Sequence, residues 1–209
     1  MTSNNDACTE IRVAVLGEWM PSQLADVLAL QRAEEPETAA ALVDCVATDR
    51  AHAPSISRFD FAVSTNALQW QGWVREPLWH DTLAVAVARR SHLLAHREVP
   101  CHELSKQSLI CARSTAGEPW YAQAHRLLEN RPQNQDQRVG TFDMAMTLVA
   151  AGYGVTIAPT ARLAGYQCKG IAVRPLAGVP MIVIAYLHRL STSLTEPQER
   201  FAQRARSVS

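Results

Sequence analysis

Charge and aromatic rings are both scarce in this chain. Charged residues make up 19% of its 209 residues, and Phe, Trp and Tyr together only 6%. Lys and Arg number 20, as do Asp and Glu, so the formal net charge is zero. There is no long Lys/Arg run, whereas domains that grip a phosphate backbone show a basic face. Autonomous DNA binding is therefore disfavoured. Neutrality also gives little protection against self-association. No stretch reaches the roughly 18 apolar residues that a membrane-spanning helix needs. The start, MTSNNDACTE, is polar and acidic and lacks the basic flank and apolar core of an export signal. It reads as a flexible tail over residues 1–10. The five cysteines (Cys8, Cys45, Cys101, Cys111 and Cys168) are odd in number and never spaced as CxxC. That usage suits reduced packing thiols in the cytoplasm.

Catalytic signals are equally thin. There is no P-loop and no GxGxxG, and Ser114 lacks a GxSxG context. His92, His96 and His102 recur at loose intervals, while a metal site demands convergent ligands. Asp60 has no evident acid–base partner. These observations point away from an enzyme, a cofactor or a metal.

Hydrophobic residues, at 47%, are what the chain does have, and they are enough for a packed core. Its length suits one large domain or two small lobes. Ile11–Leu16 reads as a buried strand, followed by Gly17. A helix follows, with Pro21 in its first turn and Leu24, Val27 and Leu28 at helical spacing, ending near Pro36. Leu42–Ala47, Phe59–Val63 and Leu83–Ala88 read as further strands. Residues 49–57 read as a loop or weak helix, and the tryptophan-rich span from Trp70 to His80, interrupted by Pro77, as irregular. Trp70, Trp73 and Trp79 fit a hydrophobic cluster under a loop, or else a binding wall.

A second unit begins near Arg89. It reads as a strand at Ser108–Ala112, a polar loop at 113–117 and a helix through Trp120, Ala124 and Leu128. A polar connector at 130–137 leads to a helix capped by Thr141 with Phe142, Ala145, Met146 and Val149 on its apolar face. A short helix around Ala161–Ala164 and strands at Ile171–Arg174 and Met181–Leu187 follow. The last helix starts at Thr195, with proline in its first turn and Gln198 placed for a capping box. Strand–helix alternation of this kind predicts an α/β chain with largely parallel sheets.

The most specific stretch is VAAGYGVTIAP, residues 149–159. Gly152 suits the left-handed end of a helix, and Gly154 a tight reversal. Residues 155–158 form a short strand, and Pro159 stops it. This run resembles the aGxGvxxlP signature of the effector-binding domain of LysR-type transcriptional regulators. Other segments are similar to that family in the right order: IRVAVLGEWMPSQLADVLALQRAEEPE, FDFAVS, EPLWHDTLAVAVARRSHLLAHREV (with Leu93 where the family has proline), HELSKQSLICARS and LHRLSTSLTEPQERF.

The resemblance implies a two-lobe, periplasmic-binding-protein-like (type II) α/β fold, each lobe a mostly parallel sheet flanked by helices. Lobe I would span residues 11–88 and 180–207, and lobe II residues 89–179, with a small-molecule effector in the cleft between them. It also implies a cytoplasmic homodimer packed antiparallel, with Leu24–Gln31 and Leu42–Ala47 supplying part of the surface. DNA would be met only through a domain outside this sequence, because no winged helix-turn-helix precedes Ile11. An excised half of a regulator and a stand-alone sensor are both open. Residues 49–57 also lack the family's helix and glycine.

Open α/β sheets bind ligands outside their strands' carboxyl ends, where helix amino termini favour anions. This rule selects Glu18 and Trp19 after the first strand, and Ser64, Thr65 and Asn66 after the third. It also selects Ser114 and Thr115, then Thr141 and Phe142. By resemblance, Ser64, Ser114, Thr115 and Thr141 would hold an organic acid, with Trp19 as an apolar wall. Ser64 and Thr141 have a second role open to them, as caps of a turn and a helix. Glu18 would repel a carboxylate, which leaves open a cationic or polar effector or a degenerate pocket. A solute-binding protein and an enzyme on the same scaffold are the alternatives to a sensor, since fold alone does not fix function.

Overall fold

The computed structural model describes residues 9–17, 19–44, 59–67, 69–128, 136–167, 170–178 and 180–208. Elements follow in the order β1 (Thr9–Leu16), α1 (Gln23–Glu34), β2 (Thr38–Asp44), β3 (Phe61–Ser64), β4 (Trp73–Ala88), α2 (Cys101–Leu104), β5 (Ile110–Ala112), α3 (Pro119–Arg126), β6 (Gln137–Val139), α4 (Phe142–Ala150), β7 (Thr156–Pro159), α5 (Thr160–Ala164), β8 (Ile171–Pro175), β9 (Ile182–Leu190) and α6 (Glu196–Ser207). Short 3-10 turns occupy His92–Ala95 and Thr115–Gly117. The chain forms two compact units, Met1–Trp79 with Ala185–Ser209, and His80–Ile184. The boundaries of these units fall within β4 and β9.

In the first unit β1 pairs in parallel with β2 and with β3, and β3 pairs antiparallel with β9. β1 starts at Thr9, paired with Thr38, so the end of the expected 1–10 tail is ordered by a sheet partner. Strand alternation sends side chains to two faces. One face packs on α1 and α6, where Phe61 meets Phe201 with ring centroids 5.0 Å apart. Burying each ring contributes roughly 1.5–3 kcal/mol. The other face carries Ala14, Leu16 and Ala62 under Phe59, Trp70 and Trp73. Here the tryptophans are core: Trp70 and Trp73 meet edge to face at 5.9 Å, and Trp79 donates its indole N–H to the Val208 carbonyl at 3.0 Å.

The span expected to be irregular, Trp70–His80, is strand from Trp73 onward. Proline has no N–H for a ladder bond, and Pro77 sits exposed within this strand. The expected loop at 49–57 lies outside the described residues.

α1 and α6 are joined by a buried polar cluster. Arg204, 8% exposed, donates to Gln31 Oε1 at 2.7 Å and Glu34 Oε2 at 2.6 Å, and lies 3.3 Å from Glu35. Arg200 also donates to Glu35. Burial alone would raise the Glu35 carboxyl, but hydrogen bonds from Arg204, Arg200 and Gln31 outweigh it and hold it below the usual range. The capping box expected at Thr195 and Gln198 is formed.

In the second unit β5 and β6 are parallel, and the parallel bridge Leu109↔Val155 sets β7 alongside β5. β4 runs antiparallel to both β7 and β8. β6 is the strand the sequence hid: two of its three residues are exposed, so no apolar pattern marks it. Leu109, Ile110, Trp120, Ala145, Val149, Ile157 and Leu163 fill the core. Gly152 closes α4 with φ +86°, its N–H reaching Val149 O at 2.9 Å while Tyr153 N–H reaches Leu148 O at 3.0 Å. Gly154 has a different role from the expected reversal. A Cβ there would stand 2.3 Å from the Ser108 carbonyl oxygen, so glycine is required by a close approach of two backbones.

Candidate functional site

The carboxyl ends of β5, β6 and β7 share one edge of the second unit. Ala112 pairs with Val139, and Arg113 N–H donates to Val139 O at 2.9 Å. The loop holding Ser114 and Thr115 therefore lies beside Gly140 and Thr141 at the start of α4. Ser114 Oγ is buried and makes no hydrogen bond. Thr115 is only 1% exposed and starts the 3-10 turn. Thr141 caps α4 as its position predicts, accepting the Met144 N–H at 3.2 Å. The Phe142 and Asp143 N–H groups are left outside helix bonding, at the positive end of the helix.

Phe142 is buried and anchors this helix end. The Arg162 guanidinium lies 3.8 Å from its ring centroid, and Tyr166 meets it edge to face at 5.5 Å. Asp143 accepts the Tyr166 hydroxyl at 2.8 Å. The same edge continues past β7, where Asp81 accepts the Ala161 N–H at 2.9 Å and Thr160 donates to the Thr82 carbonyl at 2.8 Å.

In the first unit, Leu16 pairs with Ser64, so the parallel strands β1 and β3 end together. Ser64 is buried, and its hydroxyl accepts the Asn66 N–H at 2.8 Å in a local turn. Both Ser64 and Thr141 thus serve as caps. Thr65 is buried, Asn66 half-buried, and Trp19 is 6% exposed with an indole N–H that finds no partner. Glu18 lies outside the described residues.

Three residues beside these rims were not singled out from the sequence. Arg162 and the buried Glu118 follow β7 and β5, so the strand-end rule applied to every strand would have found them. His188 carries no such signal. It is paired with Ala62, lies 4.5 Å from Trp70 between ring centroids, and neither ring nitrogen completes a hydrogen bond. Burial pushes it down to about 4 and the Arg75 charge acts the same way, with the Asn66 backbone opposing in part. Among the described residues no three His, Cys, Asp or Glu side chains converge as metal ligands, and no helix is long and apolar enough to cross a membrane.

Residues 4–209 match the family model of the LysR substrate binding domain. The fold is similar to that of the BenM effector binding domain solved with its effector benzoate: 17% identity, 96% of this chain and 91% of that one covered, TM-score 0.82. It is also similar to full-length BenM carrying the E226K mutation, at 18% identity over 96% of this chain and 67% of that one, TM-score 0.83. The reduced form of OxyR from N. meningitidis matches at 15% identity over 96% of each chain, with a TM-score of 0.78. No curated protein sequence matches the chain. The match across nearly its whole length, on a periplasmic-binding-protein-like type II fold, places this chain in the LysR substrate-binding domain family.

Proposed function

We propose that this chain is the effector-sensing module of a LysR-type transcriptional regulator and that its effector is a small organic acid. The observation that carries the reading is the edge of the second unit. There a buried Ser114 hydroxyl without a partner, Thr115 and the uncapped N–H groups of α4 stand together at strand carboxyl ends. Such a set satisfies a carboxylate's lone pairs without a full positive charge. Benzoate, the effector named for the solved BenM domain, belongs to this class.

The chain acts as a sensor rather than an enzyme, in the cytoplasm, and contacts DNA only through a separate domain. It dimerises through α1 and β2, where Leu42 on β2 (43% exposed) and Met20 just before α1 (47%) offer apolar surface. Thermal-shift screening with aromatic and aliphatic carboxylates tests the function, because a ligand of the folded state stabilises it by mass action. At least one acid should raise Tm in proportion to the logarithm of its concentration, and Ser114→Ala should weaken that response. A panel without any responder, or a response unchanged in Ser114→Ala and Thr141→Ala, contradicts the proposal. Light scattering tests the dimer, which a strictly monomeric mass at high concentration would refute.

A further inference from the structure

Only the amino end of α4 belongs to the edge described above. Over nine residues, at roughly 1.5 Å of rise each, the helix runs to a carboxyl end that borders a separate cavity; the helix dipole is negative there, so an anion in this cavity has to be held by side-chain cations. This cavity measures about 680 Å³ and lies wholly within the second unit. Arg89, Arg90, Ser91 and His92 form one wall, and Ala151 and Gly154 belong to the other. Its volume falls within the roughly 300–1,000 Å³ of ordinary small-molecule sites.

Among the described residues the lining holds three cationic or protonatable side chains and no Asp or Glu, although the chain as a whole is neutral. Arg89 is braced: its backbone N–H donates to Gly170 O at 3.0 Å and one guanidinium nitrogen donates to Gln167 O at 2.9 Å. A guanidinium has five donors, so most of them stay available. Arg90 is exposed and pairs with no carboxylate among the described residues. The far wall is stiff, because Gly154 is pressed against the Ser108 carbonyl. The two stretches that form these walls, ARRSHLL and AAGYGV, drew attention in the sequence, and the proposed effector site uses neither.

We propose that this cavity is a second small-molecule site, for a compact anion of at least two negative charges held by Arg89 and Arg90. Phosphate esters and polycarboxylates share the required chemistry, since a guanidinium fork matches both oxygen geometries. The inference does not depend on the effector site at the other end of α4.

Isothermal titration of the full chain with pyrophosphate, and separately with citrate, tests it. At least one anion should bind saturably with a stoichiometry of one, and the arm that responds identifies the source. Losing a charge-assisted contact in Arg90→Ala should weaken binding about tenfold or more. Ala151→Phe, which fills the cavity from an exposed position, should abolish binding. Should that variant melt early, Arg90→Glu takes its place with the same expectation. Arg97→Ala, on a different shallow groove, and Ser114→Ala should bind normally. The proposal is overturned if neither anion saturates, if Arg97→Ala weakens binding as much as Arg90→Ala, or if Ala151→Phe and Arg90→Glu both bind normally.

Discussion

His188 should make this protein progressively less stable below neutral pH. The ring is 1% exposed, stacked near Trp70 with Tyr186 beside it, and Arg75 lies over the Tyr186 ring at 4.9 Å. Protonation there costs desolvation and meets a nearby positive charge, so the folded pKa drops to about 4 from an ordinary 6.5. Because the folded value is the lower one, the unfolded chain binds the extra proton first as pH falls. Above about 6.5 both states are neutral and this residue adds no pH dependence. Between 6.5 and 4 stability declines, by about 2 kcal/mol at pH 5 and about 3 kcal/mol at pH 4, using roughly 1.4 kcal/mol per pKa unit. Urea unfolding of the wild type and His188→Phe at pH 7.5 and pH 5 isolates the effect, since the other titrating groups are shared. The wild type should lose about 2 kcal/mol more than the variant between those two values. Equal losses, or an imidazole that titrates near 6.5 by NMR in the folded protein, would refute the reasoning.

Other substitutions probe the scaffold. Gly154→Ala should destabilise by more than about 3 kcal/mol in denaturant, because its Cβ meets the Ser108 carbonyl oxygen at 2.3 Å. Gly152→Ala, with open space but φ +86°, should lose only about 1 kcal/mol or slightly more. Arg204→Ala leaves Gln31 Oε1 without its donor and removes one of the two guanidinium partners of Glu35, so it should cost about 1–3 kcal/mol by the same assay. Thr141→Ala removes the α4 cap and should cost about 1 kcal/mol, read as a lower Tm in the absence of any ligand.

Most of the architecture is written in local chemistry. The caps at Thr141 and Thr195, the left-handed Gly152 and the apolar runs of β1, β3 and β7 mark their elements before any tertiary contact is known. The strand-end rule likewise places Ser114, Thr115 and Thr141 together without a ligand in view. Illegible parts are those fixed by long-range contact. β6 is mostly exposed and exists through its pairing with β5. The first half of β4 has an aromatic, proline-broken sequence that only its surroundings organise into strand. The need for glycine at position 154 arises from Ser108, far away in sequence. Gln31 and Arg204 look like surface polar residues on their helices, and only the packing of α1 on α6 buries them.

Amide chemical-shift mapping during titration with the strongest responder from the carboxylate panel bears most directly on the account. An acid seated on backbone donors and hydroxyls at the strand ends of the second unit must move the amides of Ser114, Thr115, Phe142 and Asp143. Shifts confined to surfaces away from those residues, or none at saturation, would contradict it.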